Sequence, residues 1–147
     1  HHLFGWLQIE KIIKGNTEIL KFLSENGLSH PHGTTDVMQF KNNTIYIASK
    51  NLTFSDSVRD LMGHGTFKKT ARNLILTEKG KTRSSWHFPI KYFSNTKNLF
   101  RNRLKWKDEE KCLVNCIGIG QEFILNAHEN PSIIDWASYL LNNYGRN

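Results

Sequence analysis

The residues with the most chemical potential fall into four groups. His30-Pro31-His32 sets two imidazoles on a loop that proline stiffens. Gly63-His64-Gly65 places a third between two glycines, whose backbone N–H groups could approach an anion closely. Lys68, Lys69, Arg72, Arg83, Ser84, Ser85 and Trp86 combine cations, hydroxyls and an indole. Gly120-Gln121-Glu122-Phe123 would put its two polar side chains on opposite faces of a strand.

Two chemistries follow. His30, His32, His64 and Glu122 are the candidates for moving protons in a catalytic step. Lys68, Lys69, Arg72 and Arg83 are candidates for neutralising phosphates, Ser84 for donating to them and Trp86 for stacking on a base. Gln121 joins His30 and His32 as a contact to the polar edge of that ligand.

Each assignment has a plainer competitor. The His-Pro-His histidines could simply hydrogen-bond within their own loop. Gly63-His64-Gly65 could be an ordinary tight turn, since it lacks the G-x-x-x-x-G-K-[ST] spacing of a P-loop. Trp86 could face the core while the serines cap a turn, and Glu122 could be a surface residue. His64 or His87 could complete a metal site with His30 and His32, but no spacing matches a zinc motif. The reading therefore assigns no metal and no cofactor.

Charge placement favours an anionic partner. Residues 1–66 hold six Lys/Arg and six Asp/Glu, which cancel. Residues 67–107 hold twelve Lys/Arg against one acid, Glu78. A block of this kind attracts polyanions. Aromatics interleave with it, among them Phe67, Trp86, Tyr92, Phe93, Phe100 and Trp106. Cys112 and Cys116, four residues apart, would lie about 13 Å apart on one face of a strand, too far for a disulfide. They read as buried free thiols, consistent with a reducing, cytoplasmic setting. No apolar run reaches the roughly 20 residues of a spanning helix, so no membrane partner is expected.

The length of 147 residues suits one domain over residues 1–147. Leu3 to Ile13 reads as a strand. A helix is expected over Glu18 to Asn26, capped by Thr17, followed by a loop from Ser29 to Lys41. Thr44 to Ala48 and Asn73 to Thr77 read as strands, and the latter forms a hairpin with Thr82 to His87 around Lys79-Gly80. Pro89 to Phe93 suits a helical turn and Ser94 to Lys107 a basic loop. Cys112 to Ile117 and Gln121 to Leu125 read as strands, and Pro131 opens a last helix running to about Asn143. The sum is α+β: a mixed or antiparallel sheet of about five or six strands, two or three helices, and the C-terminal helix packed on the sheet. The Tyr46, Leu74–Thr77 and Phe123 strands should be central, and the two histidine loops should meet at one concave site. Because the chain opens inside a strand, an upstream region of the same protein is expected as a partner.

Taken in order, these segments resemble the third family of nucleotide-modification-associated domains, over its C-terminal part. The resemblance runs through Gly5-Trp6-Leu7-Gln8-Ile9, His30-Pro31-His32, Asn43 to Ser49 with Leu52, and Gly63-x-Gly65-x-Phe67-Lys68. It continues through Leu74 to Thr77, Lys79-Gly80, Arg83-Ser84-x-Trp86, Gly120-Gln121-Glu122-Phe123 and the helix with Trp136. An aromatic is common in the family where His64 stands here. The resemblance implies a link to systems that modify or recognise bases in nucleic acids, and it carries over no catalytic residue. The leading expectation is thus a nucleic-acid- or nucleotide-binding domain. The alternatives are an enzyme acting on a nucleotide or modified base, and a structural or partner-binding part of a larger protein.

Overall fold

The computed structural model describes residues 1–94, 104–116, 123–124 and 126–145. Gln121 and Glu122 lie outside the described residues, as does most of the expected strand around them.

The chain is α+β. It opens as one extended run, β1 (Gly5–Leu7) and β2 (Ile9–Lys14), as the alternating apolar pattern requires. Helix α1 (Asn16–Glu25) follows. Its N-cap position is Gly15, not Thr17, and no side chain caps it. The expected loop after it contains a 3₁₀ turn, Pro31–Gly33, and a single-turn helix α2 (Thr35–Met38). Strand β3 (Thr44–Ala48) pairs antiparallel with β2, and β4 (His64–Thr66) with β1.

Further on, β5 (Ser85–His87), the short helix α3 (Ile90–Phe93), β6 (Leu104–Asp108) and β7 (Leu113–Cys116) come in order. The last three strands form an antiparallel sheet in the order β5-β7-β6. Segment Leu104 to Lys107 is thus an edge strand and not a loop. Its alternation of Leu, Lys, Trp and Lys outweighs its basic composition, because Trp106 packs toward the core beside its register partner Val114. Helix α4 (Pro131–Leu140) has proline in its first turn and ends in a π turn, Leu141–Gly145.

Instead of one sheet, three small antiparallel sheets form, with seven strands among the described residues. The Leu74–Thr77 segment is correspondingly less regular than expected. A 3₁₀ turn covers Arg72–Leu74, and isolated bridges then join Ile75 to His2 and Thr77 to Trp86. The Tyr46 strand is not central: β3 has β2 as its one strand partner among the described residues, and Tyr46 itself is exposed.

The main core lies between the β5-β7-β6 sheet and α4. Leu74, Leu76, Trp86, Phe88, Phe93, Val114, Ile133, Trp136 and Leu140 meet there. Ile133, Trp136 and Leu140 recur at helical spacing and all face inward. Cys112 is buried in the same cluster as a free thiol, and burial pushes its pKa up. A second cluster, Ile13, Ile19, Leu23 and Ile45, holds α1 on the β2–β3 ladder. A third, Leu52, Val58 and Leu141, takes in Trp6 and Phe67.

The glycines of Gly63-His64-Gly65 are explained by this packing. A Cβ at Gly63 would fall on the carbonyl of Ser49, and one at Gly65 would fall inside the Trp6 ring. Gly63→Ala should therefore lower unfolding stability by about 1–3 kcal/mol, the usual cost of overpacking. Urea denaturation checks it: a midpoint equal to the parent's would mean that Ser49 and Gly63 need not approach so closely.

Candidate nucleic-acid interface

His64 does not share a site with His30 and His32. His30 closes its own loop: its Nδ1 accepts the backbone N–H of His32 at 3.2 Å, capping the Pro31–Gly33 turn. The His30 and His32 rings lie 5.1 Å apart. Buried Asn43 donates to the His32 carbonyl at 2.9 Å, and its own carbonyl accepts from Gly15 N–H. This loop sits at the Lys14–Thr44 end of the β2–β3 ladder.

Gly63 stands at the other end, where its carbonyl accepts from Gln8 and its N–H donates to Lys50. The ladder between them spans about 17 Å for five residue steps. His64, exposed on β4 opposite Leu7, is therefore remote from His30 and His32. The expected concave site uniting the two loops does not form. Among the described residues no three His, Cys, Asp or Glu side chains come together as metal ligands would.

The indole of Trp86 is corrected as well. Its side chain is 2 % exposed, and it contacts Phe88 and Phe123 edge-on. Its Nε1–H donates to the Arg83 carbonyl at 3.0 Å. With its ring enclosed and its one polar group satisfied, Trp86 holds the hairpin onto the core and offers no face to a base. The plainer reading holds for Ser84 too, whose hydroxyl pairs with that of Thr82 at 2.8 Å inside the turn.

The cations of the basic block stand differently. Lys68, Lys69, Arg72, Lys79, Lys81, Arg83, Lys91 and Lys107 are all exposed. Three elements carry most of them. The first is the 68–73 loop between β4 and the Leu74–Thr77 segment. The second is the hairpin turn, closed where Glu78 N–H donates to Ser85 and Ser85 N–H donates to Thr82. The third is edge strand β6, with Lys107.

The 68–73 loop is held at both ends. Phe67 N–H donates to the Phe4 carbonyl at 2.8 Å, and Leu3 N–H donates to the Leu74 carbonyl at 2.7 Å. Asn73 donates to the hydroxyls of Tyr139 and Tyr144, at 2.8 and 3.1 Å. The π turn makes this possible. Residues five apart diverge on an α-helix, but its wider turn brings Tyr144 back beside Tyr139. The Tyr144 hydroxyl, ahead of a smaller contribution from burial, raises the pKa of the Tyr139 phenol, keeping it neutral.

These three residues were not among the sequence candidates. The available signal was a pair of tyrosines five apart at the end of an amphipathic helix, which an α-helical register would split onto different faces.

The sequence model of nucleotide modification associated domain 3 matches residues 1–126. The chain belongs to this family. The match ends before α4. No curated protein and no solved structure matches the chain. No helix among the described residues is long and apolar enough to cross a membrane.

The core role of Trp86 gives a direct expectation. Trp86→Ala should lower unfolding stability by about 3–5 kcal/mol, read from urea denaturation followed by circular dichroism. A loss under about 1 kcal/mol would return the indole to the surface and reopen its stacking role.

Proposed function

We propose that this domain binds nucleic acid along its phosphate backbone, within a system that modifies or recognises nucleotides. The observation that carries the reading is the exposure of the block's cations. Every Lys and Arg of residues 67–107 whose exposure is described points to solvent. Family membership supports the nucleotide link.

The spacing of the cations favours a polymer over a free nucleotide. The 68–73 loop and the hairpin turn lie at opposite ends of the Leu74–Glu78 segment. Five residue steps separate Leu74 from Lys79, about 16 Å of extended chain. That distance covers about five nucleotide rises along one strand of a duplex. A single nucleotide keeps its phosphates adjacent and could reach one cluster but not both. In this arrangement Lys68, Lys69 and Arg72 hold one stretch of backbone and Arg83 another. Arg83, with its planar fork of donors, suits bidentate contact to a phosphate.

Each phosphate neutralised releases counterions, so affinity should fall steeply with salt. Lys69→Ala and Arg83→Ala should each reduce the log–log salt slope by about 0.7–0.9, for a single strand or a duplex respectively. Fluorescence titration across a salt series measures this. A parent protein that binds no oligonucleotide even at low salt would overturn the reading in favour of a partner-binding scaffold.

A further inference from the structure

We propose that Phe4 is a base-stacking platform, and that the surface at the root of the 68–73 loop takes single-stranded nucleic acid. This rests on the phosphate-binding reading of the basic block.

Phe4 is 77 % exposed, more than any other large apolar side chain among the described residues. Its neighbours in the strand face inward: Leu3 packs against the main core, and Trp6 lies over Gly65 and against Phe67. A phenylalanine left in water forgoes about 1.5–3 kcal/mol of burial. The exposed ring is open to a partner that presents an apolar or π face.

Position narrows the partner. The 68–73 loop leaves and rejoins the strand here, at the Phe67–Phe4 and Leu74–Leu3 hydrogen bonds. Lys68, Lys69 and Arg72 thus rise from the strand at the residue that carries the exposed ring. The Asn73 bonds to Tyr139 and Tyr144 fix the far end of the loop, so both of its ends are anchored beside the strand that carries the ring. A base laid on the Phe4 ring would leave its flanking phosphates within reach of the loop.

Phenylalanine has no hydrogen-bonding group, so the platform accepts any base by its π face. The bases of a duplex are already stacked on one another. The ring therefore reaches a strand end, a gap or a single strand, and discriminates against intact duplex.

The test titrates the full chain with short oligo-dT, with oligo-U and with a duplex of equal length. Phe4→Ala should weaken binding to the single strands by about 5- to 150-fold and leave duplex binding within about twofold of the parent. The salt slope should stay unchanged, because no cation is removed. Phe4→Trp should match or exceed the parent. Since the ring is exposed, the unfolding midpoint of Phe4→Ala should stay close to the parent's. Oligo-dT and oligo-U responding alike places the discrimination at strandedness, and a response to one alone narrows the ligand to that nucleic acid. Parent-like single-strand binding by Phe4→Ala, or an equal loss on duplex, overturns the platform while sparing the phosphate reading. A parent that binds none of the three overturns the phosphate reading itself.

Discussion

The fold depends on one extended strand that changes partners along its length. Residues 1–3 pair with Leu74 to Thr77, β1 with β4, and β2 with β3. Three distant stretches of chain are thereby aligned on a single backbone track. The exchange occurs at Gln8. Its N–H donates to Gly63 and its carbonyl accepts from Ser49, so two different segments meet one residue. Its side-chain amide then locks a third, donating to the Thr53 hydroxyl at 2.6 Å and accepting from Thr53 N–H at 2.8 Å. A backbone that switches partners risks unpaired polar groups, and each left buried costs about 1–3 kcal/mol. The Gln8 backbone avoids that cost by pairing with both segments, and its amide, both donor and acceptor, adds Thr53 to the crossing.

The glycines follow from the same crossing. Where three segments converge on Gln8, the backbones of Ser49 and Gly63 come closer than any side chain permits, and Trp6 needs a flat surface to lie on. Gly63 and Gly65 satisfy packing before they can serve a ligand. An imidazole between two glycines looks like a phosphate cradle in one dimension. In three, its flanking glycines are occupied by the protein itself.

The elements with strong local signals were legible in the sequence. The β3 run, the Lys79-Gly80 hairpin, the α3 turn and the buried face of α4 all follow from period and turn chemistry, and Ile133 and Trp136 are buried as their spacing implies. Long-range geometry was not legible. Nothing local in His30-Pro31-His32 or Gly63-His64-Gly65 says that a five-step ladder separates them, because pairing between β2 and β3 sets that distance. Trp86 misled for a related reason: its neighbours Arg83, Ser84 and Ser85 are polar, but a strand puts alternate residues on opposite faces. Its register partner Val114, with Trp106 beyond it in the same row of the sheet, sets the indole on the inward face. Tyr139 and Tyr144 became neighbours through a π turn that no propensity announces.

The basic block shows how such a sequence divides labour between its two faces. Aromatic residues interleave with cations because strands and short turns alternate them. Trp86, Phe88 and Phe93 go inward to build the core, and Trp106 packs against it. The lysines and arginines whose exposure is described, charges that cannot be buried without partners, stay outside. Most of the aromatic signal in residues 67–107 therefore reports stability and the cationic signal reports the surface. The exposed ring beside those cations comes from far away in the chain, at Phe4, brought there by the pairing of residues 3–4 with the two ends of the 68–73 loop. A segment-by-segment search for a site looks for its parts in one stretch. Here the parts meet because one strand touches several segments, so the track through Gln8 that orders the fold also assembles the surface.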